Sequence, residues 1–147
     1  MRVLLVLLLV AACAVPGTEP STGDLGEVAV RTVTVDGAPL TVAVAATSDE
    51  RSRGLRGVDD LGDLDGMLFV WDGDTVTSRF TMAGTLIDLD IAFFDPAGRF
   101  VDGFRMPVCD VEPCPTYAAS APYAYALETP AGTGPAVGPG SVLDLGR

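Results

Sequence analysis

The chain has 147 residues, which is enough for one domain with its own hydrophobic interior. Its 9 basic and 20 acidic residues give a formal charge of −11, which argues against nucleic acid as a partner because phosphate neutralisation requires Lys and Arg. Histidine is absent, so Ser-His and Cys-His dyads and His-ligated zinc or haem are excluded, and three Cys are too few for a four-Cys zinc site. We therefore expect no metal and no cofactor.

The first twelve residues have the pattern of a signal peptide. Arg2 precedes a run of Val and Leu, and two Ala follow. The run has about nine residues, whereas a span of the bilayer needs roughly 20. Val10-Ala11-Ala12-Cys13 resembles the lipobox of bacterial lipoproteins, a family in which this Cys is diacylated and becomes the mature N-terminus. The resemblance implies a lipid anchor at Cys13 and a location on the extracytoplasmic face of the cell membrane. An ordinary secretory signal with a chance Cys is the alternative.

The two other cysteines, Cys109 and Cys114, can form a disulfide if Cys13 carries lipid, and such a bond persists outside the cytoplasm. A thioredoxin-like redox role is the weaker interpretation. The spacing is C-x4-C instead of C-x-x-C, and Pro113 and Pro115 stiffen the loop.

The first half of the chain predicts a tether, a hairpin and a short helix. Residues 14–25 are rich in Pro, Gly, Ser, Thr and acids, which is typical of a flexible tether. Residues 27–35 and 40–46 alternate in polarity around Asp36-Gly37, the strongest short hairpin signal. Thr47 and Glu50 have the spacing of a capping box, and Gly54 and Gly57 limit the helix to about two turns. The basic residues that follow, Arg51, Arg53 and Arg56, suit the helix dipole.

The second half predicts mainly strands. Residues 66–71 form a continuous apolar run, which indicates a buried strand. Further strands are predicted at 76–82, 87–95, 99–106, 123–129 and 141–145, with a type I turn at 95–98. A Pro- and Cys-bearing loop is expected at 107–122, and one helical turn within 130–140.

This pattern predicts a mostly β fold, a small antiparallel barrel or sandwich of about seven or eight short strands with one short α-helix. The expected organisation is a signal peptide at 1–12, a lipidated Cys and tether at 13–25, and a single β-rich domain at 26–147.

Five segments at consistent spacing carry a family resemblance. They are Arg53-Gly54-Leu55, Gly66-Met67-Leu68-Phe69-Val70, Phe80-x-Met82-x-x-Thr85-Leu86-Ile87-x-Leu89-Asp90, the Pro-Cys loop, and Tyr125-x-Leu127-Glu128 before a Gly-rich tail. From about Thr32 to Leu145 the chain resembles the domain of unknown function 192, a bacterial and archaeal family. The resemblance implies a small, mostly β, barrel-like domain. It implies no reaction, since the activity of the family is not established.

Three positions depart from the pattern of that family. It usually has Trp where this chain has Thr81, commonly Lys-Asn where this chain has Ala83-Gly84, and Pro where this chain has Asp88. If Trp-Lys-Asn holds a ligand in the family, this chain has lost or changed that contact.

The candidate ligand-binding residues are polar or aromatic: Arg53, Arg79, Thr85, Asp90, Tyr125 and Glu128. The planar fork of an arginine suits an anionic or sugar ligand, and a structural ion pair is the alternative in so acidic a chain. Trp71 with Tyr117, Tyr123 and Tyr125 would form a sugar platform, or else Trp71 and Tyr125 belong to the core or its rim.

Two groups of acidic residues suggest chemistry. Asp88 and Asp90 face the same side of a predicted strand at about 7 Å, a separation that suits glycoside hydrolysis; a solvated face or a turn is the alternative. Asp63-Leu64-Asp65-Gly66 is similar to part of a calcium loop, but the residues after it are apolar, so a turn explains it better.

Two functions remain. The first is a non-catalytic binding or structural module at the membrane, with an envelope polysaccharide, a peptide or another envelope protein as its ligand. The second is an envelope glycan hydrolase that acts through Asp88, Asp90 or Glu128. We expect the first, because the sequence offers no other catalytic constellation, and we leave open whether the chain is an enzyme.

Overall fold

The computed structural model describes residues 19–146, and the predicted signal peptide and Cys13 lie outside them. Within this range there are nine strands, one short α-helix and one 3₁₀ turn at Gly23–Leu25. No helix of this range is both long and apolar enough to cross a bilayer. The strands are β1 (Val30–Val35), β2 (Ala38–Ala45), β3 (Gly66–Val70), β4 (Phe80–Thr81), β5 (Leu89–Phe94), β6 (Phe100–Met106), β7 (Thr116–Tyr117), β8 (Tyr125–Pro130) and β9 (Leu143–Asp144), and α1 (Ser48–Arg53) follows β2.

Seven of these strands form one curled sheet in the order β6-β5-β8-β3-β2-β1-β9. Its edges approach each other, because Arg99 forms a bridge with Val142 and the Leu143 N–H donates to Gly98 O at 2.7 Å. The sheet is therefore a half-barrel, and the predicted mostly β fold with one short helix is confirmed. One pair, β2 with β3, is parallel instead of antiparallel. Parallel neighbours need a crossover connection, which α1 and the loop after it provide.

The hairpin of β1 and β2 follows from its turn residues. Asp36 and Gly37 both have positive φ, 52° and 83°, as a type I′ turn requires. The Asp36 carboxylate also accepts a hydrogen bond from the Val142 N–H at 2.8 Å, which joins the turn to the chain before β9.

The capping box of α1 is present. Glu50 N–H donates to Thr47 Oγ1 at 3.2 Å, and Thr47 N–H donates to the Glu50 carboxylate at 2.8 Å. Gly54, at φ 51°, ends the helix after six residues. The helix therefore has the predicted length of about two turns, and its last residue, Arg53, is one of the candidate site residues.

Alternation along the strands separates two hydrophobic cores on the two faces of the sheet. The barrel core lies inside the curl and includes side chains from both edges, such as Phe100 and Leu143. The outer core lies on the other face, around Phe69 and Phe93, and residues of the loop after α1 pack against it, including Leu55. The candidate site lies on this outer side.

Two predicted segments differ from the structure. In place of a strand at 76–82 there is a bridge from Val76 to Tyr123 and the two-residue strand β4, which pairs with β7 in the expected loop. The segment has two short partners in different places, so it cannot form one continuous ladder. Residues 130–140 contain hydrogen-bonded turns and no helical turn.

The packed part of the chain starts before the expected boundary at residue 26. Leu25 is 5% exposed and belongs to the outer core. Ser21 O accepts a hydrogen bond from the Asp63 N–H, and the Asp24 carboxylate accepts from two N–H groups of the 59–60 segment. Residues 21–25 therefore belong to the folded domain.

Candidate functional site

Four arginines surround one cavity on the outer face of the sheet. The cavity has a volume of about 350 Å³ and lies between α1, the end of β3 and β4. Its arginines are Arg51, Arg53, Arg56 and Arg79. We call it the arginine cavity. Its volume lies at the lower end of the range that small organic ligands occupy.

Backbone and side-chain acceptors hold three of the four guanidinium groups in place. Arg51 donates to Ala46 O and, at 2.9 Å, to Val70 O, and it lies 5.1 Å from the centre of the Trp71 ring. Arg56 Nε donates to Ala83 O at 3.1 Å. Each guanidinium has five N–H donors, so most of these donors are left for a ligand.

Arg79 reaches the cavity from the small second sheet. Its Nε donates to Thr116 Oγ1 at 2.8 Å, and a terminal nitrogen donates to Thr116 O at 3.4 Å. Thr116 lies on β7, two residues after Cys114, which forms a disulfide with Cys109. The disulfide loop therefore leads directly to the residue that orients Arg79.

None of these arginines has a carboxylate partner within residues 19–146. The ion pairs of this range join Arg99 to Asp95 at 2.8 Å and Arg105 to Asp90 at 2.9 Å, both away from the cavity. Arg53, in addition, makes no side-chain hydrogen bond to this part of the protein. A structural ion pair therefore does not explain Arg53 or Arg79.

Glu128 lies on the sheet side of the arginine cavity. It sits on β8, opposite Met67 of β3 and Ile91 of β5, and is 5% exposed. Burial raises the pKa of its carboxyl to about 8. No residue in the range 19–146 hydrogen bonds to this carboxyl. Near neutral pH it is therefore mostly protonated, with one O–H donor turned towards no protein partner.

The structure brings four of the six candidate residues together and separates the other two. Arg53, Arg79, Thr85 and Glu128 line the arginine cavity. Tyr125 lies in the barrel core, on the opposite face of the sheet. It is three residues from Glu128 on the same strand, and an odd spacing places two side chains on opposite faces.

The sixth candidate, Asp90, also lies away from the cavity. Its carboxylate accepts hydrogen bonds from Arg105 at 2.9 and 3.1 Å and from the Gly132 N–H at 2.7 Å. These hydrogen bonds lower the pKa of Asp90, and the bond from Arg105 has the largest effect. Asp88 accepts from the Val108 N–H at 2.7 Å. Both carboxylates thus serve as hydrogen-bond acceptors for the fold.

The calcium-like segment has a similar role. The Asp63 carboxylate accepts from the Ser21 N–H at 2.9 Å, and the Asp65 carboxylate accepts from the Thr41 N–H at 2.7 Å. In the part of the chain that the structure describes, no three His, Cys, Asp or Glu residues are grouped so that they could hold a metal ion. Asp63 thus ties its loop to the N-terminal segment, and Asp65 ties it to β2.

The aromatic residues do not form one platform. The ring centre of Trp71 lies 6.5 Å from that of Phe69 and 5.2 Å from that of Tyr123, whose ring is nearly perpendicular to it. Arg51 lies over the Trp71 ring. The Tyr123 hydroxyl donates to Ser78 O, and Tyr117 contacts Phe104. Trp71 therefore belongs to the rim of the outer core and supports Arg51.

Two residues of the cavity, Arg51 and Arg56, were not among the sequence candidates. The sequence contained a signal for them, since three arginines follow a capping box within six residues. The helix dipole was a sufficient reason for a basic helix end, so this signal did not distinguish the two explanations.

Comparison with known proteins identifies relatives without an assigned activity. The family model of DUF192, described as an uncharacterized ACR, matches residues 31–144. One similar crystal structure is that of a protein from Sinorhizobium meliloti 1021, which is provisionally named a transcription regulator. Its sequence is 28% identical to this chain, the TM-score is 0.67, and the match covers 80% of this chain and 94% of that protein. A protein of unknown function from Novosphingobium aromaticivorans DSM 12444 is 25% identical with a TM-score of 0.67, covering 86% and 93%. No curated protein matches the chain significantly.

Proposed function

We propose a function on the premise that the chain belongs to the DUF192 family: it is a lipid-anchored, extracytoplasmic binding module whose arginine cavity holds an acidic group of an envelope ligand. One observation carries the proposal. Four arginines line one cavity without a carboxylate partner from residues 19–146, in a chain whose formal charge is −11.

The charge distribution supports an anionic ligand. Bringing four cations together costs free energy through mutual repulsion, and the 20 acidic residues of the chain offer ample means to neutralise them. A bound anion removes this repulsion. The planar fork of arginine matches carboxylate and phosphate oxygens with two parallel hydrogen bonds. The acidic exterior does not prevent binding, since at physiological salt charges are screened beyond about 8 Å.

The arginines provide the first test. We expect Arg53→Gln and Arg79→Gln each to weaken binding of an acidic envelope polysaccharide about tenfold or more, because each removes a charge-assisted hydrogen bond. Titration calorimetry measures the dissociation constants. Arg31→Gln is the matched control, since Arg31 is an exposed residue of β1 outside the cavity lining. Wild-type affinity in both cavity variants would refute the proposal, and binding of an acidic peptide alone would shift the ligand to an envelope protein.

The anchor is proposed from the sequence around Cys13 and is tested separately. Two acyl chains give stable membrane attachment, where one gives only marginal binding. Cys13→Ala should release the protein from membranes or block its maturation, as cell fractionation will show. Cys114→Ala, which removes a cysteine of the disulfide loop, should still fractionate with membranes. If Cys13→Ala remains in the membrane fraction, the anchor is wrong.

Two other functions have less support. Glycoside hydrolysis by paired carboxylates needs two carboxyl groups across the substrate, and Glu128 is the one carboxyl among the residues of 19–146 that line the cavity. The provisional name of the Sinorhizobium protein suggests DNA binding, which requires a basic surface that neutralises many phosphates. Duplex DNA therefore serves as a negative control in the titrations, and we expect no binding.

A further inference from the structure

We infer that Glu128 contacts the ligand as a hydrogen-bond donor, and that the ligand class of the arginine cavity is a sugar or polyol unit that carries an acidic group. The inference rests on the proposed function and adds the chemistry that the ligand must have besides its charge. It is carried by one carboxyl, 5% exposed and without a hydrogen-bond partner in residues 19–146, that lines the same cavity as four arginines.

The fold gains nothing from a carboxyl at this position. Glu128 lies in the middle of the sheet, and its neighbours across β3 and β5 are Met67 and Ile91. Desolvation of a carboxyl among apolar neighbours is costly, and an apolar side chain of the same size would avoid the cost. A perturbed carboxyl in a cavity is instead typical of a site that binds or converts a ligand.

The surroundings keep the carboxyl neutral. Its neighbours on the sheet are apolar, and the charged groups that line the cavity with it are Arg51 of α1, Arg53 at its end, Arg56 in the loop and Arg79 before β4. Burial raises the pKa of Glu128 to about 8. An anion held by the arginines adds negative charge nearby and favours the protonated form further.

A protonated carboxyl offers one donor and one acceptor, which is what a hydroxyl group of a ligand matches. Five hydroxyl side chains also line the cavity, those of Ser48, Ser52, Ser78, Thr81 and Thr85. A small anion without hydroxyl groups would use the arginines alone. Uronic acids and polyol phosphates share the required chemistry, so the probes include both.

The experiment measures affinity for five probes with the full-length protein by titration calorimetry below pH 7. Glucuronate and glycerol 3-phosphate carry hydroxyls and an acid, acetate and inorganic phosphate carry the acid alone, and glucose carries hydroxyls alone. We expect each acidic polyol to bind about tenfold or more tightly than the matching simple anion, and glucose to bind weakest. If only glucuronate or only glycerol 3-phosphate binds, that result shows whether the acidic group of the ligand is a carboxylate or a phosphate.

Two substitutions test the role of Glu128. Glu128→Gln keeps the shape and the capacity to donate, so binding should persist. Glu128→Leu should reduce the affinity for the acidic polyols about tenfold, and by more than it changes the affinity for acetate and phosphate. Because Leu removes a costly buried carboxyl, this variant should melt no lower than the wild type, so that lost binding is not lost folding. Glu27→Gln, at an exposed site, is the matched control.

The pH dependence of ligand affinity is a second test, because a purely structural role of Glu128 predicts no such dependence. The wild-type affinity for glucuronate, whose own charge is constant over this range, should fall about tenfold or more from pH 6.5 to well above pH 8, because the fraction of protein able to donate falls. The Glu128→Gln variant should show no such fall.

Failure of this inference is distinguishable from failure of the proposed function. If Glu128→Leu binds all probes as the wild type does, or the wild type prefers no acidic polyol over its simple anion, the inference is wrong. The proposed function stands in that case as long as Arg53→Gln and Arg79→Gln still weaken binding. Unchanged binding in the arginine variants would overturn the proposed function itself.

Discussion

Glu128 should also control how stability depends on pH above about pH 5. Its carboxyl has an ordinary pKa of 4.5 and a pKa of about 8 in the folded protein, so between these values the folded state binds the additional proton. The contribution of Glu128 to stability is therefore largest at a pH below its ordinary pKa, and it falls as the pH rises to its pKa in the folded protein. At pH 7 the free energy of unfolding is roughly 3 kcal/mol lower than it is below the ordinary pKa, because each pH unit between the two pKa values lowers it by about 1.4 kcal/mol.

Urea unfolding between about pH 5 and 8.5 measures this effect, with the free energy of unfolding as the readout. Glu128→Gln should remove most of the slope and should be more stable than the wild type at the upper end. The lowered pKa values of residues such as Glu50 and Asp90 act with the opposite sign and in the acid range, so they leave this window largely unaffected. Equal slopes in the two proteins would refute the burial argument.

Gly66 allows β3 to approach β8 closely. A Cβ at this position would lie 2.0 Å from Glu128 O, which is backbone and cannot move aside. Gly66→Ala should therefore lower stability by about 3 kcal/mol, because the two strands must separate. Gly138→Ala is the matched control, since no atom lies within 4 Å of its Cβ position. Thermal melts that give equal midpoints for both variants would contradict this prediction.

At the scale of elements, α1 determines where two cavity arginines lie. The capping box begins the helix at Thr47, and Arg51 and Arg53 follow within its six residues. Thr47→Ala removes the hydroxyl that accepts from Glu50 N–H and should cost about 1 kcal/mol. The same change should weaken binding of an acidic ligand severalfold, because the helix end no longer fixes the two guanidinium groups.

The control for this helix prediction is Thr75→Ala, which removes an exposed hydroxyl outside regular structure. Urea unfolding and calorimetry on both variants measure stability and affinity together. A loss of stability without any loss of affinity would show that α1 supports the fold alone.

Elements with local signals could be predicted from the sequence. The type I′ turn needs only Asp36-Gly37, and the capping box needs only Thr47 and Glu50, so both are encoded within a few residues. The segment 76–82 is different, because its pairing depends on Tyr123 and on β7, which are at least 35 residues away from their partners in the chain. The parallel pairing of β2 with β3 depends likewise on a crossover that no local pattern specifies.

The candidate site was predictable in composition but not in arrangement. Arg53 and Glu128 are residues of the motif segments, Arg79 directly precedes one of them, and alternation along β8 already separates Tyr125 from Glu128. Their grouping around one cavity requires α1, β4 and β8 to be placed together, which is a property of the tertiary structure. The protonation of Glu128 could not be predicted, since it follows from burial between β3 and β5.

At the scale of the whole molecule, the fold separates a barrel core from an outer core with a polar opening. The barrel core is closed by contacts between the two sheet edges, so it provides a rigid support. The outer core is covered by a short helix, loops and a two-strand sheet, and the arginine cavity lies among these elements. A site placed between a rigid sheet and its loops is a common arrangement for binding, because loops vary while the sheet holds them.

The N-terminal segment completes the outer core, and this has a consequence for stability. Leu25 is 5% exposed in that core, whereas Leu86 is 54% exposed. Leu25→Ala should lower the free energy of unfolding by about 2–3 kcal/mol, and Leu86→Ala should change it by less than about 0.5 kcal/mol. Urea unfolding of the two variants makes the comparison with the same chemical change. If the two variants are equally stable, the segment does not contribute to the core and the domain starts at residue 26 or later. If Leu25→Ala is the weaker protein, the fold includes residues before the family match at 31, and any linker to a lipid at Cys13 ends near Ser21.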